Sequence, residues 1–126
     1  MNVVDSSGWL EYFADSKDAE FFARAIEDTE SLVVPVITVY EVYKRLYQQR
    51  GKEIALKAIA YMIQGLVVDT DAGVAVEAAE LSAEKGIPMA DSIIYTLSKN
   101  YHAVLWTQDY DLKGLPNVKY HRKTKK

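Results

Sequence analysis

The sequence predicts an α/β fold in which a mostly parallel sheet of about five strands is covered by helices on both faces. Short apolar runs alternate with longer segments of helical hydrophobic spacing, as in chains of β-α units. The first eight residues are typical of a buried strand that ends on Asp5 and turns into small hydroxyl residues and Gly8. The chain has 126 residues, 49% of them hydrophobic, which suffices for one core. We therefore expect residues 1–126 to form a single domain.

The remaining elements follow from hydrophobic periodicity and from Gly and Pro breaks. After the first strand, the apolar runs predict strands at residues 32–34, 66–68, 103–106 and 118–120. Apolar residues at helical spacing predict a helical turn at 9–13 and helices at 18–28, 38–51, 52–64 and 91–100. An alanine-rich helix is expected after Asp71, and it stops at Gly86.

Composition excludes several classes of site. The chain has no cysteine, so disulfides, thiolate metal sites and a cysteine nucleophile are excluded. Its two histidines do not form an HExxH motif, which argues against a histidine-rich zinc site. There is no apolar run long enough for a membrane span and no signal-peptide pattern, so we expect a cytoplasmic protein without membrane contact.

Charge is unevenly distributed along the chain. The net charge of −3 argues against general coating of DNA, and residues 1–30 are rich in acids. Residues 44–57 carry five cations, and residues 119–126 form a strongly basic tail. An acidic centre flanked by basic surface suits a metal-dependent enzyme that acts on a polyanion. The alternative is a solvated helix face and a solubilising terminus.

Four acids occupy related positions in the predicted fold: Asp5, Glu41, Asp91 and Asp109. Each lies just after a strand, or in the first turn of a helix that follows a strand or a Pro break. Right-handed crossovers can therefore bring them to one end of the sheet. Two carboxylates about 4 Å apart repel by ~4 kcal/mol at an effective dielectric near 20. Mg²⁺ or Mn²⁺, which prefer oxygen ligands, would neutralise such a group.

Each acid also has a purely structural interpretation. Asp5 and Asp109 could hold turns, and Asp91 could cap its helix. Thr38-x-x-Glu41 matches a capping box, in which the glutamate reaches back to a backbone N–H. Only the combination of the four acids argues for function.

The contexts of these acids resemble those of the PIN domain nucleases. They are Val-Val-Asp5-Ser, Thr38-x-x-Glu41, Pro-Met-Ala-Asp91 and Leu-Trp-Thr-Gln-Asp109. The resemblance spans essentially the whole chain, and its length is most similar to the toxin ribonucleases of VapBC toxin–antitoxin pairs. It implies a three-layer α/β/α sandwich that holds one or two Mg²⁺ or Mn²⁺ ions and hydrolyses phosphodiester bonds in RNA. It further implies a homodimer and a cognate antitoxin that occupies the acidic groove.

The resemblance also implies roles for individual residues. Asp5, Glu41 and Asp91 would be catalytic metal ligands, and Asp109 a further ligand or an acid that positions water. Small hydroxyl residues would support them at Ser6, Thr38 and Thr107. Cations expected to hold the RNA backbone are Lys44, Arg45 and Arg50. The chain departs from the family at Leu112, where an aromatic residue is expected, and Asp111 is a second candidate to complete the site.

Two other functions remain open from the sequence. Asp69-Thr70-Asp71 follows an apolar run and looks like the Asp-x-Asp of phosphatases that use an aspartate nucleophile. A strand exit followed by Asp71 as a helix cap explains it more simply. The second possibility is a catalytically inactive PIN-like module that uses the same fold to bind a protein.

Overall fold

Five short parallel strands form the centre of the protein in the computed structural model, which describes residues 1–125. They are β1 (Asn2–Val4), β2 (Val33–Pro35), β3 (Leu66–Val68), β4 (Val104–Thr107) and β5 (Val118–Tyr120). The ladders β1-β4-β5 and β2-β3 are each parallel. A single parallel bridge between Asn2 and Leu32 joins them, which gives the order β3-β2-β1-β4-β5. The predicted parallel α/β fold is confirmed, but the hydrogen-bonded ladders contain three and two strands rather than five.

Six helices connect and cover these strands. They are α1 (Ser6–Phe13), α2 (Ala19–Ile26), α3 (Val36–Arg50), α4 (Lys52–Met62), α5 (Ala72–Lys85) and α6 (Met89–Asn100). Short 3₁₀ turns lie at Thr29–Ser31 and Tyr110–Leu112. Within residues 1–125, no helix combines the length and apolar character needed to cross a membrane.

Three helices begin earlier than the sequence predicts, each because of the residue before it. Asp5 caps α1 through its side chain, so the helix starts at Ser6 rather than at Trp9. Pro35 and Pro88 are extended and precede α3 and α6 directly. Since proline has no N–H to donate, it is well tolerated next to a helix start. Glu41 and Asp91 therefore lie slightly deeper in α3 and α6 than expected.

Two apolar cores lie on opposite faces of the sheet. Successive strand residues alternate between them: Val4, Val34 and Trp106 belong to one core, and Val3, Val33 and Leu105 to the other. The first core is completed by side chains of α1 to α4, and the second by side chains of α5 and α6. The three-layer α/β/α arrangement follows directly from this alternation.

Gly8 allows α1 and α2 to pack closely. A Cβ atom at Gly8 would lie 2.6 Å from Val4 Cγ1 and 2.6 Å from Phe22 Cδ1. Both neighbours are fully buried, so neither can move into solvent. The small residue after the strand exit is therefore required by packing on the first core.

Gly8→Ala is expected to lower the free energy of unfolding by about 1–3 kcal/mol, because the added methyl group overpacks this contact. Gly73→Ala is the matched control, since its Cβ would come no closer than 3.5 Å to Asp71 Oδ1 and alanine favours helix. Urea unfolding of both variants measures the difference. Equal stability of the two variants would contradict the packing argument.

Candidate active site

Asp5 is a buried carboxylate whose two oxygens are both hydrogen-bonded. It follows β1 and caps α1: its Oδ1 accepts from the Gly8 backbone N–H at 3.0 Å and from the Ser7 hydroxyl at 2.8 Å. The Thr107 hydroxyl at the end of β4 donates to Oδ2. Asp5 thus links the ends of two adjacent strands and has little freedom to reorient.

Asp91, Asp109 and Asp111 form the tightest group of acids. One carboxylate oxygen from each lies within 4.8 Å of the others. Asp91 is in the first turn of α6, and Asp109 follows β4. Asp109 is held in a turn: its N–H donates to Thr107 Oγ1 at 2.9 Å, and its Oδ1 accepts from the Asp111 N–H at 2.9 Å. Asp109 and Asp111, the two candidates for the fourth acid, therefore both lie close to Asp91.

Glu41 does not form the capping box that Thr38-x-x-Glu41 suggests. Thr38 is buried and donates its hydroxyl to the Pro35 carbonyl at 2.7 Å. Glu41 Oε1 instead accepts a short hydrogen bond from Ser6, thirty-five residues earlier in the chain. The glutamate is thus oriented toward the start of α1 rather than toward its own helix end.

A cavity of about 430 Å³ brings the four predicted acids together at the carboxyl end of the sheet. Its lining residues are Asp5, Ser6, Ser7, Leu10, Tyr40, Glu41, Lys44, Arg45, Gln48, Asp91 and Asp109. Arg50 does not line this cavity. It lies farther along α3, at two neighbouring cavities. Of the predicted supporting hydroxyls, Ser6 and Thr107 contact an acid, whereas Thr38 bonds only backbone.

Burial and crowding make Asp5 and Asp91 difficult to ionise. Burial raises the pKa of Asp5 to about 6, although the hydrogen bonds from Thr107, Gly8 and Ser7 oppose the shift. Partial burial raises the pKa of Asp91 to about 8, and the charges and hydrogen bond of neighbouring aspartates add to the effect. Asp109 is the strongest of those neighbours. Asp5 and Asp91 are therefore protonated more readily than ordinary aspartates.

The donor set fits a hard divalent cation. It consists of carboxylate oxygens, which Mg²⁺ and Mn²⁺ prefer, and it contains no sulfur or imidazole ligand among the described residues. Asp91, Asp109 and Asp111 are close enough to bind one ion together. A cation there would also relieve the repulsion that raises the pKa of Asp91.

Sequence reasoning missed several residues of the cavity and left others unresolved. Ser7 bonds Asp5, and Tyr40 and Gln48 line the cavity wall. The only feature of the sequence that could have indicated Tyr40 and Gln48 was their place on the helix that carries Glu41 and Arg45. Leu112 is fully buried in the second core, which explains why a leucine is accommodated where an aromatic residue was expected.

The Asp69-Thr70-Asp71 motif lies elsewhere in the fold. Asp71 caps α5, where its Oδ1 accepts from the Val74 N–H at 2.9 Å. Asp69 is exposed beyond β3, which lies at the edge of the sheet. Neither residue lines the acidic cavity. The motif is thus accounted for as a strand exit and a helix cap.

Known structures share this fold at low sequence identity. A toxin–antitoxin complex from Klebsiella pneumoniae matches with a TM-score of 0.78 and 17% identity over 94% of this chain and 96% of that one. VapC20 of Mycobacterium tuberculosis, described as a sarcin-ricin loop cleaving toxin, matches with a TM-score of 0.73 and 16% identity over 94% and 98%. VapBC2 from Rickettsia felis, bound to a promoter DNA fragment, matches with a TM-score of 0.72 and 16% identity over 95% and 96%.

Comparison with curated protein sequences gives no significant match. The sequence model of the PIN domain, by contrast, matches residues 3–118. That range includes Val3 and Val4 of β1, every predicted acid and the first residue of β5. The family indicated by the sequence is thereby confirmed, and the fold agrees with it. The chain belongs to the PIN domain family.

Proposed function

We propose that the protein is a metal-dependent endoribonuclease that acts as the VapC-type toxin of a toxin–antitoxin pair. The observation that carries this proposal is the shared cavity of Asp5, Glu41, Asp91 and Asp109. The acids come from four separate parts of the chain, and burial together with their crowding raises the pKa of Asp91. A purely structural cluster would leave that repulsion without compensation.

Different residues of the chain would have different roles in hydrolysis. Asp91, Asp109 and Asp111 would hold one ion, and Asp5 and Glu41 would complete the site or hold a second. Mg²⁺ or Mn²⁺ bound there supplies Lewis acidity and neutralises charge that develops on the phosphate. Water attacks phosphorus and loses a proton, the bond from phosphorus to one bridging oxygen breaks, and the leaving oxygen gains a proton. Lys44 and Arg45, exposed at the rim, would bind phosphates of the RNA.

The proposed partners follow from the similar structures and from one surface. Toxin–antitoxin complexes are among the structures of this fold, and we infer a cognate antitoxin here. Val36, Tyr40 and Tyr47 are 39%, 64% and 52% exposed on α3. Such exposed apolar and aromatic side chains are typical of surfaces that a partner covers. They support the inferred homodimer.

The first prediction of the proposed function concerns metal binding by the acids. Calorimetric titration of Mn²⁺ into metal-free protein should show binding at or tighter than about millimolar, and Asp5→Asn and Asp91→Asn should each weaken it about tenfold or more. Asp69→Asn removes the same charge from an exposed position outside the cavity and should bind like the wild type. Equal effects of all three substitutions would argue against a shared site.

The second prediction concerns RNA cleavage. With Mg²⁺ or Mn²⁺, the wild type should cleave single-stranded RNA, and Asp91→Asn should lower the rate by about 100-fold or more because a metal ligand is lost. Asp69→Asn should retain full activity. An Asp91→Asn protein that is fully active, or a wild type inactive on a broad panel of RNAs, would favour the non-catalytic binding module.

The third prediction concerns pH and stability without metal. Folded pKa values of about 6 and about 8 exceed the unfolded value of about 3.9, so between these limits the folded state binds more protons than the unfolded chain. The free energy of unfolding should therefore fall as the pH rises from about 4 to about 8. Asp91→Asn should flatten this dependence, and saturating Mn²⁺ should remove it.

Urea unfolding at about pH 5 and about pH 8, with and without Mn²⁺, measures this dependence. Asp69→Asn serves as the control and should keep the slope of the wild type. A wild-type protein that becomes more stable toward pH 8 without metal would contradict the proposed crowding of protonated acids.

A further inference from the structure

The C-terminal segment His121–Thr124 is anchored to the body of the protein by a buried acid. Asp18, only 4% exposed, accepts hydrogen bonds from His121 Nε2 at 2.8 Å and from Thr124 Oγ1 at 2.6 Å. The Thr124 N–H adds contacts at 3.2 and 3.3 Å to the two carboxylate oxygens. The bonds from Thr124 and His121 hold the pKa of Asp18 at about 2, so the anchor is ionised at neutral pH.

His121 strengthens this anchor in two further ways. Its backbone N–H donates to the Thr107 carbonyl at 2.8 Å, which continues the pairing of β5 beside β4. Its ring stacks on Phe21 with centroids 4.7 Å apart and planes 19° from parallel. The segment is therefore packed against the rest of the fold. From the sequence alone, a merely solubilising terminus was the alternative. Lys126, at the end of the predicted basic tail, lies outside the described residues.

Anchoring brings Lys123 to a second cavity, of about 310 Å³, beside the acidic one. This basic cavity is lined by Ser7, Leu10, Glu11, Ala14, Arg45, Leu46, Gln49, Arg50, Gln108 and Lys123. Ser7, Leu10 and Arg45 line both cavities, so the two are adjacent. They share the face of α3 that runs from Glu41 to Gln49, a length of about 12 Å at 1.5 Å per residue.

The charge of the basic cavity is opposite to that of its neighbour. Arg45, Arg50 and Lys123 are exposed, and within residues 1–125 no carboxylate lies within 4.0 Å of their charged groups. Glu11 is the one carboxylate in the described lining, so positive charge is in excess. Three cations without ion-pair partners are free to bind an anion, and Gln49 and Gln108 add hydrogen-bonding groups.

We propose that this basic cavity is a subsite for the RNA backbone, built from α1, α3 and the anchored C-terminal segment, with Lys123 as a phosphate-binding residue. The inference rests on the proposed ribonuclease function and extends it. Phosphates flanking the scissile bond lie against Arg45, Arg50 and Lys123 while that bond is held at the acids. Asp18 is a positioning residue, because it acts only through the segment that carries Lys123.

RNA fits these observations better than an acidic protein segment does. The basic cavity lies beside the acidic one, and a polyanion with evenly spaced charges can place flanking phosphates on the cations while another phosphate lies near the acids. An acidic peptide would gain nothing from the neighbouring acidic cavity. Arginine also binds phosphate through two parallel hydrogen bonds, and it can stack on unpaired bases.

Binding of a fluorescein-labelled single-stranded oligoribonucleotide, measured by anisotropy without divalent ions to prevent cleavage, tests this subsite. Lys123→Gln should weaken binding about threefold to tenfold and should reduce the slope of log Kd against log salt by about 0.7, as expected for one lost phosphate contact. Lys125→Gln removes the same charge two residues further along the tail. Lys85→Gln removes it at the end of α5, on the opposite face of the sheet. Both controls should bind like the wild type.

The role of Asp18 is tested by a double-mutant cycle. Asp18→Asn should weaken RNA binding about as much as Lys123→Gln, and combining the two should add little, because a released segment no longer places Lys123. Circular dichroism and the thermal midpoint verify that Asp18→Asn remains folded. If that variant unfolds, Thr124→Val, which removes only the hydroxyl bond to Asp18, replaces it in the cycle.

The outcomes separate this inference from the function on which it rests. If the wild type binds and cleaves RNA, but Lys123→Gln binds RNA as tightly as Lys125→Gln, the subsite is overturned and the ribonuclease function stands. Additive effects of Asp18→Asn and Lys123→Gln would overturn the positioning role. If binding of a poly-glutamate peptide depends on Lys123 and binding of RNA does not, the cavity is assigned to an acidic protein partner. No RNA binding or cleavage by the wild type would overturn both proposals.

Discussion

The buried carboxylate of Asp5 is the constraint on which the arrangement at the sheet edge depends. Its oxygens accept hydrogen bonds from Ser7 and Gly8 in α1 and from Thr107 at the end of β4. One side chain thereby ends a strand, caps a helix and ties two adjacent strands together. A neutral residue of similar size could cap α1, but it would not add negative charge to the cavity. The same contacts that stabilise the fold also hold an acid where a cation is needed.

The close spacing of the acids costs free energy, because their negative charges repel one another. Asp91 lies close to Asp109 and Asp111, and partial burial together with these neighbouring acids raises its pKa to about 8. Asp5, Glu41 and Asp109 are held by a helix cap, the Ser6 hydroxyl and a turn, which limits their freedom to move away from Asp91. A rigid group of carboxylates is suited to bind a divalent ion, since little ordering is required when the ion enters.

The charge of the side chains changes from negative to positive along α3. Glu41 faces the acids, Arg45 borders both cavities, and Arg50 and Lys123 lie beyond it. Such a gradient from acidic to basic suits a polyanion whose reacting phosphate needs metal and whose flanking phosphates need cations. The C-terminal segment contributes to this gradient only because Asp18 and Phe21 in the region of α2 hold His121 in place.

Local sequence was sufficient for the fold class and for the four acids. Alternating strands and helices predicted the parallel sheet, and the positions of Asp5, Glu41, Asp91 and Asp109 after strands or in first helical turns predicted their convergence. These features depend on periodicity and on breaks, which are encoded within a few residues. Helix starts were less accurate, because Pro35 and Pro88 act through backbone geometry.

The amino-acid sequence by itself determined which residues could be ligands, strands and helices. Only the tertiary structure decided that Glu41 bonds Ser6 rather than capping its helix, and that Asp111 joins Asp109 beside Asp91. It also decided that the basic tail is anchored at Asp18 and that Arg50 lies in the second cavity. Each of these contacts joins residues distant in sequence or depends on side-chain direction, and neither property is fixed by local spacing.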